Sequence, residues 1–494
     1  MILAQELDWR NRPVAGCTWR AEGQVNENRQ DMIADLAAQI IISLKKSAIT
    51  GDSRSYRYFC QGLQSLSMAE MPETRHRCDY IERARMHFQR ALAHDPANWM
   101  ARFYLAVCLC RCGEHEAAVG HMNILDASLR RADAALGAKK FRRIFRRKDR
   151  DVLVQHLQTY PQCPFLMMYN KAMSESGTLR ACALEDALKV VEQLSLSVQA
   201  RPKGKPEFPN CARDLKEPAR KRFSMLAWSA KASILATQGE HQVGEAEGRA
   251  RLELIREQLT DTFDQFEAFS ANLEPELTSD HALGRATLLN AKGRVETACF
   301  RAHCGKFARK AEGCFREAQA YLPDLADSYL NLVRLYLCAK EEFGETWKAE
   351  AEKQLGELEQ IAPGNAQAKY LKARVAAESD EGTAALSISK ELPEMPEAHF
   401  IEAEVLSDSS FVGSDLKGAV KAWETGLAKV TEPNQFQVEH FMRLFEFALS
   451  GSQPESVISV ANMAARRLME RGRCPQDRNV GAYWSTRLHC RRAA

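Results

Sequence analysis

Apolar residues along this chain recur in steps of three and four, the period of an α-helix with one buried face. Three stretches share one spaced pattern: Ala84, Phe88, Ala91 and Pro96; Ala311, Phe315, Ala318 and Pro323; Ala351, Leu355, Leu358 and Pro363. The first three residues of each set fall on one helix face, and the proline that follows cannot continue that helix. Each copy therefore predicts a helix that packs and then stops. The alanine lets a neighbouring helix approach closely, and the two larger residues fill the space beside it. Ala84, Phe88 and Ala91 also recur one fixed interval later as Ala118, Met122 and Leu125, so the pattern repeats between helices. Ala84, Ala118, Ala311 and Ala351 are expected to be buried at helix crossings. Such spacing has no stable use in strands, so essentially no β-sheet is expected.

A second kind of helix precedes these. Leu105, Ala106 and Leu109 lead to Gly113, which suits the end of a helix; Trp228, Ala232, Leu235 and Gly239 repeat that arrangement, and Tyr329, Leu332, Val333 and Tyr336 give its helical part ahead of Ala351. Ala419, Trp423 and Gly426 make a weaker copy of the packing helix. Paired helices at a period of about 34 residues resemble the tetratricopeptide repeat family. Elsewhere the match is partial: Ala311 and Ala351 stand further apart than that period, and stretches 129–160 and 240–280 fit no repeat well. The resemblance implies an all-α fold, an α-solenoid of tetratricopeptide-like helix-turn-helix repeats wound as a right-handed superhelix. It also implies protein recognition on the inner face made by the first helix of each pair. There it would place Met100, Phe103, Val107 and Arg111, then Leu330 and Arg334, then Tyr370 and Arg374. Apolar residues mixed with arginine suit a peptide or helix with hydrophobic anchors and some acidic character. Members that clamp a chaperone's C-terminal carboxylate use Lys and Asn on that helix; Phe103 and Val107 stand in their place here.

At 494 residues the chain is too long for one core, but a solenoid grows along its axis and needs none. Residues 1–27 have no helical period and read as an irregular N-terminal arm. Residues 28–200 read as N-terminal repeats, beginning with helices over Met32–Leu44 and Tyr56–Leu66. Prolines at 202, 206, 209 and 218 make 201–222 a linker. Residues 223–473 read as C-terminal repeats, with Leu252, Ile255, Leu259, Phe263 and Phe266 as one long stripe, and 474–494 as a tail. No apolar run approaches a membrane span, and Met1–Arg10 lacks the features of a secretory signal, so a cytoplasmic location is expected. Fifteen cysteines at irregular spacing argue against a disulfide framework. Cys108 and Cys112 share a helix face, but Cys110 points away, so with His115 and His121 they read as packing residues and no metal or cofactor is expected.

Charge is uneven although its total is only +3. Leu129–Arg150 carries ten basic residues against Asp133 and Asp149, a net of +8, and 201–222 carries a net of +5, which leaves −10 for the rest. In the first segment Lys139, Lys140, Arg142, Arg143, Arg146, Arg147 and Lys148 surround Phe141, Ile144 and Phe145, a basic amphipathic insert that can meet nucleic acid, anionic lipid or acidic protein, or remain solvated.

No catalytic constellation is present: no phosphate loop, dinucleotide fingerprint, GxSxG elbow or HExxH; His115-Glu116 meets Val119 where a second histidine would stand. The expectation is a non-enzymatic scaffold that binds another protein or peptide. Two alternatives stand beside it: the regulatory or sensor subunit of a bacterial signalling system, and a nucleic-acid-binding repeat protein that uses both basic segments.

Overall fold

Apolar stripes that each cover one helix face, interrupted at short intervals by turn residues, can be buried only by laying helices side by side. The computed structural model describes residues 2–7, 13–21, 49–70, 77–137, 162–199, 217–242, 248–271, 277–303, 307–430, 435–450 and 453–471, with helical residues at 33–34 and 36–39 and single residues at 153 and 157. Contacts divide the chain into two compact units: Met1–Thr178 with Glu185–Ala227, and Leu179–Leu184 with Trp228–Ala494. The division falls between Ala227 and Trp228, inside a helix; residues 201–216 of the proline-rich segment lie outside the described residues.

In the first unit, α1 (Ser53–Glu70) packs on α2 (Arg77–His94), α2 on α3 (Trp99–Arg111), α3 on α4 (His115–Gly137), and α4 on α5 (Cys163–Gly177). Helices α6 (Ala181–Gln199) and α7 (Glu217–His241) span the division. In the second unit, α8 (Gly248–Ser270) packs on α9 (Thr278–His303), followed by the pairs α9 with α10 (Phe307–Tyr321), α11 (Ala326–Cys338) with α12 (Trp347–Ile361), α13 (Ala366–Ala377) with α14 (Gly382–Lys390), α15 (Pro396–Ser407) with α16 (Leu416–Lys429), and α17 (Gln435–Leu449) with α18 (Glu455–Arg471). First helices also touch first helices, α9 with α11, α11 with α13, α13 with α15 and α15 with α17, so successive pairs stack in chain order. This is an α-solenoid of helix-turn-helix repeats.

The repeated pattern has the expected structural meaning. Ala84, Ala118, Ala311 and Ala351 are all fully buried, as are Phe88, Ala91, Ala318 and Leu358. Helices α2, α10 and α12 end at His94, Tyr321 and Ile361, two residues before Pro96, Pro323 and Pro363. Asn98 and Asn365 then start the following first helices, each side-chain oxygen accepting a 3.0 Å hydrogen bond from the amide of Ala101 or Ala368. Gly113, with φ of +80°, ends α3, and the amides of Gly113 and Glu114 return to the carbonyls of Cys110 and Leu109. Ala419 and Trp423 of the weaker copy are buried in the core around Phe400, Phe441 and Phe445.

Glycines let paired helices close, and two of them, Gly62 and Gly293, stand outside the sequence pattern. A Cβ on Gly62 of α1 would stand 2.5 Å from the Phe88 ring of α2, one on Gly293 of α9 2.5 Å from the Phe315 ring of α10, and one on Gly426 of α16 2.6 Å from the Phe400 ring of α15. Each aromatic ring uses the space that a side chain would occupy.

Two expectations are corrected. The arm at 1–27 is not wholly irregular: β1 (Ile2–Leu7) and β2 (Pro13–Ala21) form an antiparallel hairpin with Ile2 opposite Ala21 and Ala4 opposite Trp19. A two-stranded ladder needs only backbone pairing, and Pro13 and Gly16 break any side-chain period, so a missing helical pattern there did not mean missing structure. The segment 129–150 is not an insert from its first residue, because α4 runs on to Gly137 with Leu129 and Ala132 buried.

Candidate functional site

The predicted first-helix residues separate into two settings. On α3, Met100, Phe103 and Val107 are half-buried and Arg111 is exposed, all on one face, with the Phe103 ring edge-on to Tyr104 at 5.2 Å. On α11 and α13, Leu330 and Arg374 are buried, while Arg334 and Tyr370 are half-buried. Leu330 belongs to the core with Leu332, Val333 and Tyr336, and so is not a surface residue. Arg334, Tyr370 and Arg374 converge on one cavity of about 190 Å³ within the second unit.

Nearly every wall of this cavity comes from a first helix. Helix α9 contributes Arg294, Thr297, Ala298 and Arg301; α11 contributes Asn331, Arg334, Leu337 and Cys338; α13 and its end contribute Tyr370, Leu371, Arg374 and Glu378; α17 contributes Glu439 and Arg443. Glu240 of α7 and Phe315 of α10 complete it. Arg294, Arg334 and Arg374 are evenly spaced in the chain, at the same interval that separates Ala311 from Ala351. Equivalent positions on three successive first helices therefore each carry an arginine.

Most of these charges are paired. Arg294 makes a two-pronged contact with Glu240, Nε to Oε1 at 2.8 Å and Nη2 to Oε2 at 2.6 Å, and Nη2 also donates to Thr237 Oγ1. Burial alone would raise the Glu240 pKa and lower that of Arg294; their mutual attraction outweighs it, and the two shift oppositely, Glu240 down and Arg294 up. Arg301 Nη2 reaches Glu439 Oε1 at 2.6 Å, joining α9 to α17 directly. Arg374 donates to Glu378 at 2.5 Å and to Glu404 of α15, and Arg443 approaches the same two carboxylates at 2.8 and 3.4 Å.

Behind Arg374 lies a chain of polar groups. Glu404 Oε1 is 2.6 Å from His440 Nδ1, and His440 Nε2 is 2.9 Å from the Tyr370 hydroxyl. Burial would raise the Glu404 carboxyl, but Arg374 overrides it and holds the pKa at about 2. An ionised carboxylate only accepts, so His440 Nδ1 is the donor in this pair. Burial pushes the Tyr370 hydroxyl above its usual range, which keeps it protonated. The arrangement fixes geometry and charge; no nucleophile is activated by it.

Arg334 is set differently. Its Nη1 and Nη2 donate to amide oxygens, Asn331 Oδ1 at 2.9 Å and Gln367 Oε1 at 2.6 Å. Burial first, then the neighbouring Arg294, lowers its pKa in spite of nearby Glu240. Five arginines in the lining face three glutamates, two positive charges in excess, or one when Glu404 behind Arg374 is counted.

Arg294, Arg301, Glu240, Glu404, His440 and Arg443 were not foreseen: α9, α15 and α17 carry none of the copies of the repeat pattern, and Glu240 of α7 lies just beyond the copy that ends at Gly239. The even spacing of Arg294, Arg334 and Arg374 is the signal that could have found the first of them. The cysteines of α3 and its end serve separate purposes: Cys108 is buried, its thiol pushed by burial to about 12, Cys110 meets Ser174 at 3.1 Å, and Cys112 is exposed. Lys139, Lys140, Arg142, Arg143, Arg146, Arg147 and Lys148 all lie outside the described residues. Among the described residues no helix is long and apolar enough to cross a membrane.

Stacked helix pairs, a proline two residues after three of the second helices and small residues at the crossings define a helical repeat protein of the helix-turn-helix type. Residues 87–120, from α2 through α3 into α4, match the family model described as tetratricopeptide repeat. The tetratricopeptide match is to this one repeat. No curated protein sequence matches it significantly. Among solved structures, the human IFIT1 dimer with m7Gppp-AAAA is similar over 91% of this chain and 100% of its own, at 12% identity and a TM-score of 0.36. Yeast Tom70 is similar over 89% and 96% at 11% identity and a TM-score of 0.26, and the hetero-tetramer Cut9-Hcn1 of APC/C over 90% and 99% at 11% and 0.26. Likenesses at scores this far below 0.5 transfer no function.

Proposed function

We propose that this protein is a scaffold that binds a partner peptide or helix through the first-helix face of its N-terminal unit. The observation that carries this reading is the stripe on α3. Met100, Phe103 and Val107 stay half-exposed in steps of three and four, ending at the exposed Arg111. Apolar side chains left in part open to water on one helix face offer anchoring positions, and arginine at the edge favours acidic residues beside those anchors. The corresponding face of the C-terminal unit is engaged in its own ion pairs, which makes it a poorer platform for an extended partner.

Affinity capture with the intact chain tests the proposal, run in parallel for the wild type and a Phe103→Asp, Val107→Asp double variant. A partner retained by the first and lost by the second, with circular dichroism unchanged, is the expected result. Identical recovered partners from both proteins would refute placement of the site on α3.

A further inference from the structure

We propose that the arginine-lined cavity of the C-terminal unit is a binding site for a small organic carboxylate with an apolar body about the size of one aromatic ring. This inference is independent of partner binding on α3.

Enclosure is the first reason. Two contacts cross the first-helix face to α17: the Arg301–Glu439 ion pair from α9 and the Tyr370–His440 hydrogen bond from α13. An extended peptide lying along the face would have to break both. A compact ligand leaves them in place. The more exposed members, Arg443 and Glu439, mark the mouth, and Arg374 lies deep inside.

Charge is the second. The lining holds more arginines than carboxylates, and the glutamates are already engaged by Arg294, Arg301, Arg374 and Arg443. Arg334 stands midway between Arg294 and Arg374 in the evenly spaced series, and two of its hydrogen bonds end on neutral amide oxygens. A planar guanidinium is the side chain best suited to a carboxylate, which it can hold by paired hydrogen bonds. The positive excess is small, which suits one negative charge better than a polyphosphate.

Shape and polarity supply the rest. Leu337, Leu371, Ala298 and the Phe315 ring form an apolar wall beside the charges. A dry cavity of roughly 150 Å³ accepts a benzene ring. The 190 Å³ found here therefore takes one ring-sized body with room left for its anionic group.

Isothermal titration of the full chain with 3-phenylpropionate, its neutral amide 3-phenylpropanamide and inorganic phosphate tests the proposal. The carboxylate should bind saturably, and either the amide or the Arg334→Gln variant should weaken binding by about tenfold or more, the loss of a charge-assisted contact. Leu337→Trp keeps every arginine and fills the apolar side, and should abolish binding. If Arg334→Gln fails to fold, the comparison of acid with amide and the Leu337→Trp variant still decide. Absence of saturable binding at millimolar carboxylate overturns the proposal, as does equal binding of acid and amide, or phosphate binding that Leu337→Trp leaves unchanged. A tetrapeptide ending in Phe that binds where the free acid does not would also overturn it and assign the cavity to the end of a partner chain.

Discussion

Gly293 and Gly313 lie in consecutive helices of the same pair, and the same substitution should move stability in opposite directions at the two positions. Gly→Ala in a helix interior gains about 1 kcal/mol from reduced backbone freedom. At Gly313 of α10 a Cβ meets nothing within 4 Å, so that gain is realised in full. At Gly293 of α9 it would lie 2.5 Å from Phe315 Cε1 and 2.7 Å from Cδ1 and Cζ. Phe315 is only 1% exposed and belongs to the core with Ala311, Tyr336 and Leu358, so its ring has little room to move. Overpacking of this kind costs about 1 to 3 kcal/mol, which outweighs the propensity gain. Gly293→Ala should therefore destabilise by up to about 2 kcal/mol, and Gly313→Ala should stabilise by up to about 1 kcal/mol. The propensity term is common to both, so their difference isolates the clash. Urea unfolding by circular dichroism measures the two midpoints, and hydrogen exchange in α9 and α10 localises the effect, since repeat proteins open in parts. In a Phe315→Leu background the Gly293→Ala penalty should largely vanish. Equal stabilisation by both alanines would refute the reasoning that the ring occupies the missing side chain's place.

Three further outcomes are expected. Glu404 is held at about 2 against an ordinary carboxylate value of 4.5, so its contribution is fully present above pH 4.5 and is lost as pH falls toward 2; Glu404→Gln should flatten the acid limb of a stability-versus-pH curve. Burial pushes Glu175 of α5 the other way, from 4.5 to about 7, and its Oε2 is buried without a hydrogen-bond partner, so this residue should make stability fall as pH rises from 4.5 toward 7 and level off above. Glu175→Gln should remove that slope in urea titrations and stabilise the protein under mildly alkaline conditions by about 1 kcal/mol. Finally, if the segment 138–150 binds a polyanion, affinity for an RNA or DNA duplex should fall steeply between low and physiological salt, and replacing Arg142, Arg143, Arg146 and Arg147 by Ser should remove most of it; equal, negligible binding by both proteins would leave these charges solvated.

Much of the fold was legible because solenoid contacts are local. Ala84, Phe88, Ala91 and Pro96 specify a buried face and an end within a single helix and its turn, and every copy repeats the statement. Gly62 and Gly293 were not legible in the same way. A glycine in a helix reads as a weakness until the ring that fills its place, Phe88 or Phe315, is brought against it by the second helix. The hairpin at 2–21 was missed because a pair of strands leaves almost no side-chain period when proline and glycine interrupt it. In the site, Arg334, Tyr370 and Arg374 were named by their place on the first helices, whereas Glu404 and His440 owe their role to contacts between residues far apart in the chain, which no local pattern encodes.

The departure from the family's usual period is itself informative. Extra residues between α11 and α12, folded as a short helical turn over Lys340–Phe343 and Gly344–Thr346, lengthen that repeat and keep Phe343 in the core against Tyr336. The longer period still returns the chain to the same face, so Arg294, Arg334 and Arg374 stay in line although the loops between them differ. Arginines carried side by side on adjacent helices repel one another unless carboxylates stand between them. Glu240, Glu378, Glu404 and Glu439, each supplied by a different helix, meet that need at Arg294, Arg374, Arg443 and Arg301. The same repeat thus yields two kinds of surface: on α3 an apolar stripe ending in a single arginine, and from α9 to α17 a closed set of charges around a small space. Position along the solenoid decides which, because in the second unit a late first helix, α17, reaches back across the face to an early one, α9.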